Sequence, residues 1–386
     1  MKKTSVKKNR RSKQGPQQKK PHRKILLVTD LSPGDLLMLS AALRDLKRAH
    51  PSFLVDVQTN VPAIWENNPN ITALDRSDPD VEVINVEYPL IHESNTRPWH
   101  FIHGYRLFLE QALGVGIPMG EFQGDVYLSD IEKSWMSQVQ EHGIHQNFWI
   151  LVSGGKYDYT AKWWNPLEFQ KVVDHFRDKI VFVQCGEASH HHPPLRNVMN
   201  LVGQTDTRQF MRLMYHAAGV VCPVTFAMHL AAAIETKRKM PLKRACVVMA
   251  GGREPANWES YPHHRFLSLN GALDCCDDGG CWRSRAFPLG DGDEKDLSLC
   301  VYPEEIDYEI MLPGAKQKSK LKIPKCMRMI TAKDVIRAIE VHYEGGVLEY
   351  DGGWTRAEET LGAVREMKSS VEVTETLSVK EPAIDV

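Results

Sequence analysis

The sequence predicts an α/β protein made of two doubly wound domains facing across a cleft, and three observations point that way. Short apolar runs that read as buried strands alternate with stretches of helical periodicity over most of the chain. The alternation falls into two blocks of roughly 120 and 190 residues, each long enough for its own parallel sheet with right-handed crossovers. Several runs end in Gly, Ser, Thr or Asp, and such folds bind ligands at the carboxyl ends of their strands.

The first block, residues 24–145, opens with Ile25 to Val28, too short for a helix and read as a strand. Leu36, Leu39, Ala42, Leu43 and Leu46 then recur at helical spacing. Between them Ser32, Pro33, Gly34 and Asp35 suit a helix entrance, because hydroxyl and carboxylate side chains cap free amides and proline fits the first turn. The plain reading is a capped helix that sets one carboxylate in the mouth of the turn. His50-Pro51 ends the pattern, Phe53 to Val57 and Val81 to Val86 read as further strands, and His100 to Leu113 as a helix.

The second block, residues 146–345, repeats the scheme. Asn147 to Gly155 is a strand running into glycines, Pro166 to Phe176 a helix, and Ile180 to Gln184 a strand. Thr207 to Ala218 and Phe226 to Ile234 are helices flanking the strand Gly219 to Cys222. Cys246 to Met249 is a further strand, and Ala332 to Tyr343 a last helix capped by Thr331. This order places Asp35, Gly154-Gly155, Glu187 and Thr225 on one rim.

The net charge of −1 conceals an asymmetry: residues 1–24 carry eleven Lys or Arg, so the other 362, with 37 basic and 49 acidic residues, sum to −12. Like-charge blocks with Gln, Ser and Pro stay solvated, so residues 1–23 are expected to form a disordered basic tail, as are the polar residues 355–386. The basic tail suits weak contact with a membrane surface better than specific nucleic-acid binding, since no nucleic-acid motif follows it. No apolar run approaches the roughly 20 residues of a spanning helix, and no signal-peptide core follows the tail. The expectation is a cytoplasmic protein, at most peripheral to the inner face of the membrane.

All eight cysteines follow residue 184, and Cys275, Cys276, Cys281, Cys300 and Cys326 fall in an insert at 270–328. In a reducing compartment such clustering suggests metal before disulfide. Four thiolates, Cys275 or Cys276 with Cys281, Cys300 and Cys326, would suffice for structural zinc or iron, although the spacing is not that of paired Cys-x-x-Cys knuckles; reduced, partly buried thiols are the competing reading. Arg283 and Arg285 read as a charged loop or as contacts to an anionic ligand. His190-His191-His192 reads as a solvated or acceptor-side loop, because adjacent histidines rarely converge on one ion.

Two segments go further together. The turn Ser32-Pro-Gly-Asp35, with its helix ending Leu43-Arg-Asp-Leu-Lys-Arg-Ala-His-Pro51, resembles the N-terminal signature of the ADP-heptose:lipopolysaccharide heptosyltransferases, glycosyltransferase family 9. Leu201-Val-Gly-Gln-Thr-Asp-Thr-Arg-Gln-Phe through Ala217 to Ala233 resembles that family's nucleotide-binding signature, and order and separation also match. The resemblance covers about residues 24–340. It implies a GT-B fold, with the acceptor on the first domain and an ADP-heptose-like nucleotide-sugar on the second, and an inverting transfer that needs no catalytic metal. Asp35 matches the general base, with Ser32 and Gly34 shaping the acceptor-side turn. Lys162, in Thr160-Ala-Lys-Trp-Trp164, looks like the lysine that meets the donor phosphates; a surface lysine beside a packed indole is the alternative. Glu187 sits where the family places a carboxylate on the donor ribose, or is a solvated loop acid. Thr225 and His229 match the family's Asp-Thr-Gly-x-x-His-Leu motif, although His229 also fits a core histidine. Val224 replaces the motif's Asp and Phe226 its Gly.

The resulting expectation is a glycosyltransferase moving a heptose-like sugar to a cell-envelope glycan or protein. The alternative, prompted by Val224 and Phe226, is a non-catalytic nucleotide-sugar or glycan-binding protein of GT-B fold. A nicotinamide-dependent oxidoreductase fits less well, since neither βα turn carries Gly-x-Gly-x-x-Gly.

Overall fold

The protein is described by a computed structural model over residues 22–88, 90–237 and 242–353. Most of the basic tail and the C-terminal tail lie outside these residues. Arg23, assigned above to the tail, packs on the first half: its guanidinium donates to both Glu82 carboxylate oxygens at 2.8 and 2.7 Å and to the Leu113 carbonyl at 2.7 Å.

The first half contains β1 (Lys24–Thr29), α1 (Pro33–Ala49), β2 (Leu54–Thr59), β3 (Val81–Asn85), α2 (Phe101–Leu113) and the short helices α3 (Asp130–Ser134) and α4 (Gln138–Glu141). Its sheet is parallel in the order β2-β1-β3, with Ile25 opposite Val55 and Glu82. Every residue of α1 from Gly34 to Leu46 is buried. The helix is enclosed because it packs not only on α2 but on a helix of the second half.

The second half contains β4 (Phe148–Leu151), α5 (Pro166–His175), β5 (Val181–Gln184), β6 (Met199–Asn200), α6 (Thr207–His216), β7 (Gly219–Pro223), α7 (Phe226–Ala233), β8 (Ala245–Gly251), α8 (Ala256–Glu259) and β9 (His264–Ser268). The hairpin β10 (Pro303–Ile310) and β11 (Ser319–Pro324) follows, then α9 (Lys325–Met329) and α10 (Ala332–Glu344). The six-stranded sheet is parallel in the order β6-β5-β4-β7-β8-β9. The chain leaves β4 for β5 on one side and returns for β7 on the other, so the crevice at the switch lies over the ends of β4 and β7.

One apolar cluster runs through both halves, joining Ile25, Leu36 and Leu39 to Ile150, Met228 and Leu230, so the floor of the cleft is packed rather than open. A second cluster behind the large sheet holds Trp149, Trp164, Phe169 and Ile339, and a third seats the hairpin on Trp163 through Ile306, Leu321 and Ile323.

Polar contacts join the halves at several places, including the following two. Arg208 of α6 donates to both oxygens of Glu132 at 2.6 Å and to the carbonyls of Tyr127 at 3.0 Å and Ala63 at 3.2 Å. On the other side the Asn95 amide oxygen accepts from the Gly280 N–H and from Trp282 Nε1, each at 2.9 Å, while its Nδ2 donates to the Gly280 carbonyl at 3.1 Å. Nearby, Asn257 Nδ2 lies 3.3 Å from the carbonyls of Ser94, Arg97 and Trp99. The insert therefore reaches across to the first half.

Candidate active site between the two sheets

A cavity of about 530 Å³ opens between the halves at the switch point of the large sheet. The candidate residues outside the cysteine cluster all line it: Ser32, Gly34 and Asp35 from the first half, and Lys162, Glu187, Thr225 and His229 from the second. Segments about 190 residues apart in sequence meet here, as the pairing of the two signatures requires.

Asp35 is the third residue of α1, and its Oδ2 accepts from the Ser32 N–H at 3.1 Å and the Ser32 hydroxyl at 2.6 Å. The cap that the sequence predicts therefore forms, and the same carboxylate faces the cavity; both hydrogen bonds fall on Oδ2. Burial pushes the Asp35 carboxyl above its ordinary range, against the pull of the Ser32 hydrogen bond and His229, and Glu259 adds to the rise. A carboxylate so placed is more basic than one in water, as proton abstraction near neutral pH requires.

His229, on α7, is buried, with Nδ1 2.9 Å from the Tyr261 hydroxyl and Nε2 3.2 Å from the Glu259 carboxylate. Gly34 makes room for it: a Cβ at residue 34 would stand 3.1 Å from His229 Cδ2. His229 is thus both things the sequence allowed, a partnered interior histidine and a wall of the cavity. Thr225 caps α7 without a side-chain hydrogen bond, and its Oγ1 is buried with no partner among the described residues. The free amides of α7 and this hydroxyl form a place for an anion. Val224 is buried beside it, and the Phe226 ring stands 6.0 Å from that of Phe210, both lining the cavity.

The Lys162 ammonium is held 2.9 Å from the buried Glu254 carboxylate. Glu187 is exposed at the rim, its Oε2 3.3 Å from His190 Nε2. The histidine run is not a solvated loop or part of the first half: it is half-buried on the second half's side of the cavity, with His190 and His192 lining it. Gly154 and Gly186 admit it, since a Cβ at either would collide with the His191 carbonyl at 1.8 Å or the His192 ring at 2.0 Å. Burial lowers the His192 imidazole to about 4.

Glu254, Glu259, Phe210 and His192 are site residues that the sequence reading missed. The available signal for Glu254 was position: it follows the end of β8, and strand ends face the crevice.

The insert corrects one reading. Arg285 does not reach the cavity; it is fully buried, donates to Asp291 at 2.9 Å through both terminal nitrogens and to Asp296 at 2.5 Å, and organises the acidic loop around itself. Cys275, Cys276, Cys281, Cys300 and Cys326 line one small separate cavity with Gly252 and Arg253. Burial and neighbouring thiols push Cys275, Cys300 and Cys326 up to about 11. Among the described residues no three His, Cys, Asp or Glu side chains are arranged to hold a metal ion, so the set Cys276, Cys281, Cys300 and Cys326 converges without forming a metal centre in this arrangement. Cys276 Sγ is instead directed at the Leu273 and Leu269 carbonyls, at 3.4 and 3.7 Å.

Two parallel-sheet halves with a shared cavity at the strand ends define a GT-B architecture. Residues 87–238 match the model of glycosyltransferase family 9 (heptosyltransferase). No curated protein sequence matches the chain. Among solved structures it is similar to the E. coli ADP-heptose lps heptosyltransferase II, at 14% identity and a TM-score of 0.50 over 84% of this chain and 99% of that one. It is also similar to the iron-containing dodecameric glycosyltransferase TibC of enterotoxigenic E. coli H10407, at 17% identity and a TM-score of 0.51 over 84% of this chain and 77% of that one. A further TibC structure, in complex with ADP-D-beta-D-heptose, has 16% identity and a TM-score of 0.51 over 84% and 76% of the two chains. No helix among the described residues is long and apolar enough to cross a membrane.

Proposed function

We propose that the protein transfers a heptose-type sugar from an ADP-sugar to a hydroxyl of a cell-envelope glycan or protein, with inversion at the anomeric carbon. The observation that carries this reading is the single cavity that joins Asp35 of the first half to Lys162, Thr225 and His229 of the second. The diphosphate lies at the start of α7, near Thr225 Oγ1 and the Lys162 ammonium, and Glu187 at the rim takes the ribose. Asp35 accepts the proton of the acceptor hydroxyl while its oxygen bonds to the anomeric carbon, and the bond from that carbon to the diphosphate oxygen breaks. ADP departs with its charge held by Lys162 and the helix amides.

Supporting the base assignment are the raised basicity of Asp35, its place in the cavity wall and the fall of both Ser32 hydrogen bonds on one of its oxygens. Asp35→Asn tests it. Asparagine keeps an oxygen for the Ser32 cap, so folding should persist while acceptor-dependent ADP release from ADP-heptose falls by about 10²–10⁴-fold, the usual worth of a general base. Turnover within tenfold of wild type would exclude Asp35 as base. Phe226 and Val224 favour a second reading, a binding protein that holds nucleotide-sugar without transfer; ADP binding with no release of sugar to any glycan or protein acceptor would establish it.

By donor softness Cys275 or Cys276, Cys281, Cys300 and Cys326 suit a structural iron or zinc, although among the described residues they are not arranged to hold one. Such an ion would tie the insert together, and no catalytic step involves it. Elemental analysis of the purified chain tests this, with one equivalent expected and none refuting it.

A further inference from the structure

We propose that Glu254 is a positioning residue that holds the Lys162 ammonium at the donor diphosphate; this rests on the reading of Lys162 as the phosphate contact. Glu254 is 4% exposed and lines the donor cavity, yet it belongs to neither family signature. Its Oε1 takes both the Lys162 ammonium, at 2.9 Å, and the Arg253 guanidinium, while Oε2 is buried without a partner. A lone buried carboxylate is costly, and two cations on one oxygen compensate it and leave a net positive charge at this end of the cavity. The Tyr159 ring completes the group, 5.6 Å from Lys162 Nζ and 5.1 Å from the Arg253 guanidinium.

Lysine is a point charge on a flexible stem, so its value to a leaving diphosphate depends on what keeps it in place. Here the anchor is fixed at both ends. Arg253 Nε donates to the Arg283 carbonyl at 2.6 Å, and the Trp282 N–H donates to the Arg253 carbonyl at 3.0 Å. Behind them, Gly251 and Gly252 press the backbone onto the thiol cluster: a Cβ at Gly251 would stand 2.7 Å from Met327 Sδ and 3.1 Å from Cys326 Sγ, and one at Gly252 2.8 Å from Cys276 Sγ. The segment that carries Glu254 is therefore seated between the cysteines and the donor cavity and has little freedom to move.

The test is a double-mutant cycle on the full chain with Lys162→Ala, Glu254→Gln and the pair, measuring calorimetric affinity for ADP and for adenosine, and kcat/KM with ADP-heptose. Glutamine preserves shape and hydrogen bonding, so a merely structural role would survive it. Glu254→Gln is expected to weaken ADP and lower kcat/KM by about tenfold with adenosine unchanged, and to have no further effect once Lys162 is alanine. Glu254→Asp should recover part of the loss, and it carries the same cycle if Glu254→Gln does not fold. Equal ADP affinity in Glu254→Gln and wild type, or losses that multiply in the pair, would overturn the proposal while leaving Lys162 in place. Unchanged ADP affinity in Lys162→Ala would instead overturn the phosphate reading on which it stands.

Discussion

Gly34→Ala places one methyl group where the two halves of the site meet. The new Cβ would lie 3.1 Å from His229 Cδ2, a few tenths of an ångström inside ordinary contact, and at an ordinary 3.6 Å from Nε2. His229 has little room to yield, because Tyr261 and Glu259 hold its two nitrogens at 2.9 and 3.2 Å. Two effects on stability oppose each other: overpacking costs about 1–3 kcal/mol, while alanine in place of glycine in a helix contributes about 1 kcal/mol. The sum is a loss of about 0–2 kcal/mol, a melting shift of no more than roughly 8 °C. Activity should suffer more. The start of α1 must retreat from His229 and take Asp35 with it, and since a displacement of about 1 Å can cost 10²-fold, a few tenths should cost about tenfold in kcat/KM. The assay is acceptor-dependent ADP release beside a melting curve, with Gly116→Ala, whose Cβ meets nothing within 4 Å, as control. A Gly34→Ala enzyme with wild-type kcat/KM would refute the reasoning that this contact sets the position of the base.

Other outcomes follow from the same geometry. Since burial chiefly, and Glu259 in addition, raise the Asp35 carboxyl, the acid limb of kcat/KM against pH should lie above the ordinary carboxylate value of about 3.9, with activity lost as pH falls through it. Glu259→Gln removes one raising charge and should move that limb to lower pH; a shift upward would contradict the assignment. Gly252→Ala drives a methyl to 2.8 Å from Cys276 Sγ and should cost about 1–3 kcal/mol in denaturant unfolding. Arg285→Met leaves Asp291 and Asp296 without their cation and should destabilise the chain by about 3 kcal/mol, reduced where the carboxylates reach water; a melting point unchanged from wild type would show that the loop does not depend on it.

Much of the fold was legible because its strands and helices carry uninterrupted apolar runs. β1, β4, β5, β7 and β8, and the helices that follow most of them, emerge within a few residues of where periodicity puts them. β10 and β11 escaped because Glu305, Asp307 and Glu309 face Lys320 and Lys322 across a charge-rich hairpin that buries only one side. At the site, Asp35 and Thr225 to His229 were readable because each lies in a strand-to-helix turn with its own local chemistry. Glu254 and Glu259 were not, since nothing local distinguishes a buried acid from a solvated one; only the folded arrangement of Lys162, Arg253 and His229 around them does. The histidine run was misjudged for the same reason, its seat being set by glycines 36 and 4 residues before His190.

The hydrogen bonds that Asn95 and Asn257 make across the halves also bear on the timing of turnover. A hinge that opened the cleft on this side would have to break them in every cycle, and re-forming them would reset the enclosure for the next donor. The insert thus lies in the mechanical path of opening, so loosening it should accelerate nucleotide escape more than it alters bond formation. A burst of product before steady state, lost in Asn95→Ala, would be the kinetic mark of that arrangement.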